Sequence, residues 1–175
     1  NLTVLSQLTV TAQAIGNATV CTGSSASLSM VGFASSTNTY QWSDANGTIS
    51  GATSSTYSAS TSGTYTLTVT TANGCTATSN GVSVTIVTPT VPTGLSASSI
   101  QLDRATMNWS SVSNTHHYDI RMRVQGSAWS ITLNNISSSS NSRTKTGLSS
   151  STTYEWQIRS ACSTDSSSVS AWSST

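Results

Sequence analysis

Gly147-Leu148-Ser149-Ser150-Ser151-Thr152-Thr153-Tyr154-Glu155-Trp156-Gln157-Ile158-Arg159 is the stretch on which the fold turns. A glycine and a run of small hydroxylated residues mark a turn. Behind it Tyr154, Trp156 and Ile158 alternate with Glu155, Gln157 and Arg159. A period of two belongs to a strand with one buried and one wet face. Outward from this stretch the same alternation returns in Ala105, Met107 and Trp109, then in Tyr118, Ile120 and Met122. In the first half it runs through Ala26, Leu28 and Met30, Tyr40 and Trp42, Tyr65, Leu67 and Val69, and Val82, Val84 and Ile86. Asn46-Gly47 and Thr71-Ala72-Asn73-Gly74 supply hairpin turns, because only a residue tolerant of positive φ fits there. The chain reads as all-β, with two β-sandwich domains in tandem joined by a short proline-containing linker: 1–88, linker 89–92, and 93–175.

Composition narrows the function. Of 175 residues 40 are Ser, 31 are Thr and only 11 are charged, and from Asn1 to Ile100 the single acid is Asp44, with no Lys or Arg. General acids, bases and charged clamps are almost absent from that half, which disfavours a catalyst. A net charge of +1 without a basic cluster argues against nucleic acid. No apolar run approaches the ~20 residues of a membrane helix, so direct membrane insertion is not expected. Asn1 opens no signal peptide, and the segment reads as an interior piece of a longer precursor. Five N-x-[ST] sequons, at Asn1, Asn17, Asn46, Asn108 and Asn135, are what so many hydroxylated residues produce by chance.

In the first half, Ser62-Gly63-Thr64-Tyr65-Thr66-Leu67 resembles the tyrosine corner of immunoglobulin-like domains, and Trp42 takes the place of their buried strand-C tryptophan. Leu28 and Leu67 stand where antibody domains carry the inter-sheet cysteines. The run from Cys21 to Cys75 resembles the Ig-like or PKD-like repeats of large secreted proteins of Bacteroidota. The resemblance implies an Ig-like sandwich with a Cys21–Cys75 bridge stapling one end. In the second half, Trp109, Tyr118 and the Leu148-to-Tyr154 spacing resemble fibronectin type III, over about 80 residues. Thr175 falls where that family enters its last strand, so the final strand is expected to be truncated. Trp42, Tyr65, Trp109, Tyr118, Leu148 and Tyr154 are the expected core markers. Cys162, in phase with Tyr154 and Ile158, is either a buried free thiol or paired with a cysteine outside these residues.

Candidate sites are few. Asp119, Arg121 and Arg123, with Glu155, Gln157 and Arg159, are expected to share one solvent face of neighbouring strands. The bland reading is a charge ladder worth a few tenths of a kcal/mol per pair, about 0.2–1 at most. The functional reading is a face, with Arg121, Arg123, Glu155 and Arg159, for a carboxylate or sugar. Adjacent residues on a strand point to opposite faces, so His116 and His117 are not expected to chelate one ion and read instead as a turn or strand-edge pair. Calcium lacks carboxylates between Asp44 and Asp103. No metal, cofactor or catalytic residue is expected, and no G-x-S-x-G elbow occurs. Trp129 and Trp172 read as core more readily than as a sugar platform. The function expected is a non-catalytic stalk, spacer or adhesion module of a secreted or cell-surface protein, resembling adhesins of Bacteroidota. Its partners are neighbouring domains of the same chain and a protein or glycan ligand. The alternatives are an accessory spacer of a secreted hydrolase and a subunit of an extracellular filament.

Overall fold

The computed structural model describes residues 9–15, 18–32 and 35–175; the sequon residues Asn1 and Asn17 lie outside these. The fold is all-β, and no helix occurs among the described residues. Residue contacts divide the chain into two units, Asn1–Ile86 and Val87–Thr175.

In the first unit, β1 (Val10–Ile15), β3 (Ala26–Gly32) and β6 (Thr56–Ala59) form one sheet in the order β1-β3-β6. The facing sheet runs β2 (Thr19–Cys21), β9 (Val82–Val87), β7 (Gly63–Thr70), β4 (Thr39–Asp44), β5 (Gly47–Thr48), with β8 (Thr76–Thr78) also on β7. Alternation sorts the residues as expected: Leu28, Trp42, Leu67 and Val69 are fully buried between the sheets. Leu28 on β3 and Leu67 on β7, one from each sheet, belong to the same apolar core. The Trp42 indole N–H donates to Ser54 O at 3.0 Å, and its ring stacks on Tyr57, 6.0 Å between centroids. The Tyr65 hydroxyl donates to Thr61 O at 2.9 Å, closing the tyrosine corner. Gly74, at φ +78°, sits in the Asn-Gly hairpin joining β7 to β8. The strand returning along β7 is split, because Ser79 intervenes between β8 and β9 and its hydroxyl accepts the Leu67 N–H at 2.9 Å.

The expected Cys21–Cys75 bridge is not formed. Cys75 is a free, exposed thiol, whereas Cys21 and Cys162 are the disulfide-bonded cysteines. Cys162 is thus neither a free thiol nor left to a partner outside these residues. The geometry of the first unit explains why Cys75 cannot serve Cys21. The Ala18 carbonyl accepts from Thr85 N–H, beside Val84, which pairs with Gly63 at the start of β7. Cys75 adjoins Thr71, past the other end of that strand. Seven residues of strand separate those levels by roughly 23 Å, and three residues from Ala18 to Cys21 recover at most about 10 Å. A disulfide needs Cα atoms within about 7 Å.

In the second unit, β10 (Ser96–Ser98), β11 (Arg104–Asn108) and β14 (Ser142–Thr146) form one sheet in that order. The other runs β13 (Ile131–Ser137), β12 (His117–Val124), β15 (Tyr154–Ala161). Met107, Trp109, Tyr118, Ile120, Met122 and Ile158 are buried between them. Leu148 and Tyr154 pack on this cluster while partly exposed, and the Ser149 N–H donates to the Tyr154 hydroxyl at 3.1 Å. Trp109 meets Tyr118 edge to face at 5.4 Å. Thr90 and Pro92, in the stretch expected as a linker, are held by this unit: Pro92 is fully buried and Ser160 Oγ donates to Thr90 O at 2.7 Å. On its free edge β15 is capped by serines. The Ser170 and Ser173 N–H groups donate to Ser160 O and Ile158 O, and their hydroxyls accept the N–H groups of Ser160 and Ile158.

Candidate binding face on the second unit

β12 and β15 run antiparallel with Asp119 opposite Arg159, Arg121 opposite Gln157 and Arg123 opposite Glu155. This register brings all six expected residues to one face. Arg123 Nε donates to Glu155 Oε2 at 2.7 Å, Arg121 Nε to Gln157 Oε1 at 2.8 Å, and Arg159 Nη2 to Asp119 Oδ2 at 3.0 Å.

Sequence reasoning missed what lies over these cations. Trp129, in the loop between β12 and β13, stacks against Arg123 at 4.3 Å and Arg121 at 4.5 Å. Trp172, in the segment after β15, stacks against Arg121 at 4.5 Å and Arg159 at 4.7 Å. The order is Arg123, Trp129, Arg121, Trp172, Arg159. Neither tryptophan belongs to the core; both are half-buried on the outer face. A guanidinium is planar and weakly hydrated, so an indole can cover its face while a carboxylate takes its edge. Each contact is worth about 0.5–1 kcal/mol at an exposed site.

At one end of the ladder the chemistry is buried. Asp119, expected at the solvent face, is 2% exposed. Its Oδ2 takes two Arg159 N–H groups, and its Oδ1 accepts the Asn135 N–H at 3.1 Å at a bulge where Asn135 has φ 56°. His117, also 2% exposed, has Nε2 at 3.6 Å from Asp119 Oδ1 and 3.0 Å from Ser166 Oγ. Serine, histidine and aspartate thus meet, but hydroxyl and carboxylate face the same ring nitrogen. A hydrolytic triad needs them on opposite nitrogens, so that one takes the hydroxyl proton while the other is held by the acid.

The turn presenting Ser166 is set by Asp165. Hydrogen bonds from the Ser167 backbone and hydroxyl, then from Ser163, pull its carboxyl down to about 2. A carboxyl depressed in the folded state adds stability that is complete above the unfolded value near 3.8 and lost as pH falls through about 2. Carboxyl-detected NMR should therefore give Asp165 a midpoint near 2. A midpoint near the ordinary value of about 3.9 would mean that this turn does not hold Ser166 in place.

Elsewhere in this unit a hollow of about 530 Å³ is walled by Ile100, Leu102, Met107, Met122, Leu148 and Trp156. It is mostly apolar.

No family model and no curated protein matches this chain. Among solved structures, domains A168-A170 from titin superpose with a TM-score of 0.59 at 12% identity, over 95% of this chain and 64% of that one. What is shared is the fold. This chain spans a little under two thirds of that titin segment. A two-domain fibronectin type III segment from chicken tenascin matches with a TM-score of 0.44 at 16% identity, over 87% of this chain and 90% of that one. A cytokine receptor complex matches at 0.47 and 14% identity, over 93% and 99%.

Proposed function

We propose that this chain is a non-catalytic stalk or spacer segment of a large extracellular surface protein, of the adhesin-like kind that Bacteroidota export. It consists of an Ig-like module, 1–88, and a fibronectin type III-like module, 93–175, whose partners are neighbouring domains of the same protein. The observation that carries this reading is the self-sufficiency of the arginine–tryptophan ladder. Arg121 is covered by indoles on both faces and bonded at its edge by Gln157, and Arg123 and Arg159 are each stacked and ion-paired. A ligand carboxylate or sugar would have to displace these contacts before gaining its own. What remains is bracing: the ladder fastens the β12–β13 loop and the segment after β15 onto the sheet. The disulfide supports an oxidising, extracytoplasmic compartment.

Force spectroscopy tests the reading. Pulled by its ends under reducing conditions, the chain should unfold in two discrete steps of about 25–30 nm, one per module, given ~3.6 Å per extended residue. Smooth extension without discrete steps would show modules unable to carry load and would remove the stalk reading.

A further inference from the structure

The two adjacent histidines, expected on opposite faces of a strand, turn their rings toward each other. β12 begins only at His117, and Asn114, at φ 55°, bends the chain just before it. His116 therefore stands outside the strand's alternation, anchored by its N–H to Ala161 O at 2.7 Å. Its Nδ1 lies 3.0 Å from His117 Nδ1, with the rings at 89°.

His117 Nε2 has the Ser166 hydroxyl at 3.0 Å, able to accept or to donate, and Asp119 Oδ1 at 3.6 Å, so the surroundings accommodate the tautomer with its hydrogen on Nε2. In that tautomer its Nδ1 is a bare lone pair that accepts from His116 Nδ1–H. An imidazole held at one nitrogen by the Ser166 hydroxyl, with the Asp119 carboxylate 3.6 Å from the same atom, presents its other lone pair as metal-binding histidines do. Buried His117 is fixed, and exposed His116 gives an ion its way in.

We propose that His116 and His117 together form a two-nitrogen site for a divalent transition-metal ion, with copper(II) preferred. The 3.0 Å approach of the two Nδ1 atoms puts both donors within one ion's reach, and a pair of imidazole nitrogens favours copper(II) over nickel(II) and zinc in the first-row order of divalent ions. The exposed His116 ring tilts so that both lone pairs meet at the ion. Its proton passes from Nδ1 to Nε2, so two neutral imidazoles bind without net proton loss. Among the described residues no group of three His, Cys, Asp or Glu side chains is placed to hold a metal, so water fills the remaining positions.

The test uses the full chain with Cys75→Ser, which removes the exposed thiol as a competing ligand and reductant. Copper(II) titration followed by electron paramagnetic resonance should show one equivalent with hyperfine coupling to two imidazole nitrogens. His116→Gln alters an exposed side chain and should weaken copper about tenfold or more, leaving a single imidazole. Ser166→Ala should weaken it less, through the orientation of His117, and affinity should fall from copper to nickel and zinc. Unchanged copper affinity in His116→Gln, a spectrum without two imidazoles, or zinc bound more tightly than copper would each overturn the proposal.

Discussion

Trp42→Ala is expected to unfold the first unit while the second keeps its structure. The side chain is fully buried opposite Leu67, and its removal costs three things at once. Truncating a buried tryptophan to alanine typically costs about 3–5 kcal/mol in lost transfer energy and residual cavity. The Ser54 carbonyl loses its indole donor, and Tyr57 loses one of its two aromatic neighbours, the other being Tyr65 at 5.6 Å. The remaining apolar side chains of this core are mostly Val, Ala and Leu, too small to close over the gap. Small domains have about 5–15 kcal/mol in total, and one this size falls toward the lower end. In a two-dimensional amide spectrum the cross-peaks of β1 to β9 should collapse while those of β10 to β15 stay dispersed, because each unit has its own core. A denaturation midpoint for the first unit within about 1 kcal/mol of the parent would show that Trp42 is not what the sandwich is built around. Trp42→Phe separates the contributions, keeping most of the volume while losing the hydrogen bond.

The features that made such positions legible are local and periodic. Tyr65 and Tyr154 each follow a small-residue turn and open an alternating strand, so a short window shows both the turn and the buried phase. Asn73-Gly74 and Asn46-Gly47 were readable because their backbone demands a specific residue type, and both glycines have positive φ. What could not be read depends on where distant segments return. Trp129 and Trp172 carry no periodic signal, and only the closed sheet sets them over Arg121. Asp119 looks identical to Arg121 and Arg123 in the strand pattern. Its burial comes from Asn135 and Arg159, 16 and 40 residues away. The cysteine pairing failed for a related reason, since spacing leaves connectivity open and only register shows which ends of a sheet are far apart. The histidines stand at the edge of a strand, as expected, but their mutual ring contact could not be read, because one left-handed residue, Asn114, interrupts an alternation that the letters alone continue.

Asp119→Ala is expected to cost the second unit about 3–5 kcal/mol, the range for breaking a buried ion pair from one side. The loss falls on partners that cannot leave. The Arg159 guanidinium stays on the sheet, stacked on Trp172 with its edge unpaired, and the Asn135 N–H loses its acceptor at the β12–β13 bulge. Asp119→Asn keeps the shape and one carbonyl oxygen while removing the charge, so it should cost less. The double-mutant cycle with Arg159→Met decides whether the pair itself is responsible. If the penalty is mainly an orphaned cation, the double variant will be more stable than Asp119→Ala plus Arg159→Met predicts, by about 1 kcal/mol or more. Costs that add to within about 0.5 kcal/mol would mean the two side chains act independently. Asp119 would then serve the Asn135 bulge, with Arg159 held by Trp172 alone. Tryptophan fluorescence gives a second readout. Loosening Arg159 frees one end of the Trp172 stack, so Asp119→Ala should change emission in the folded state, and Trp172→Phe should abolish that change.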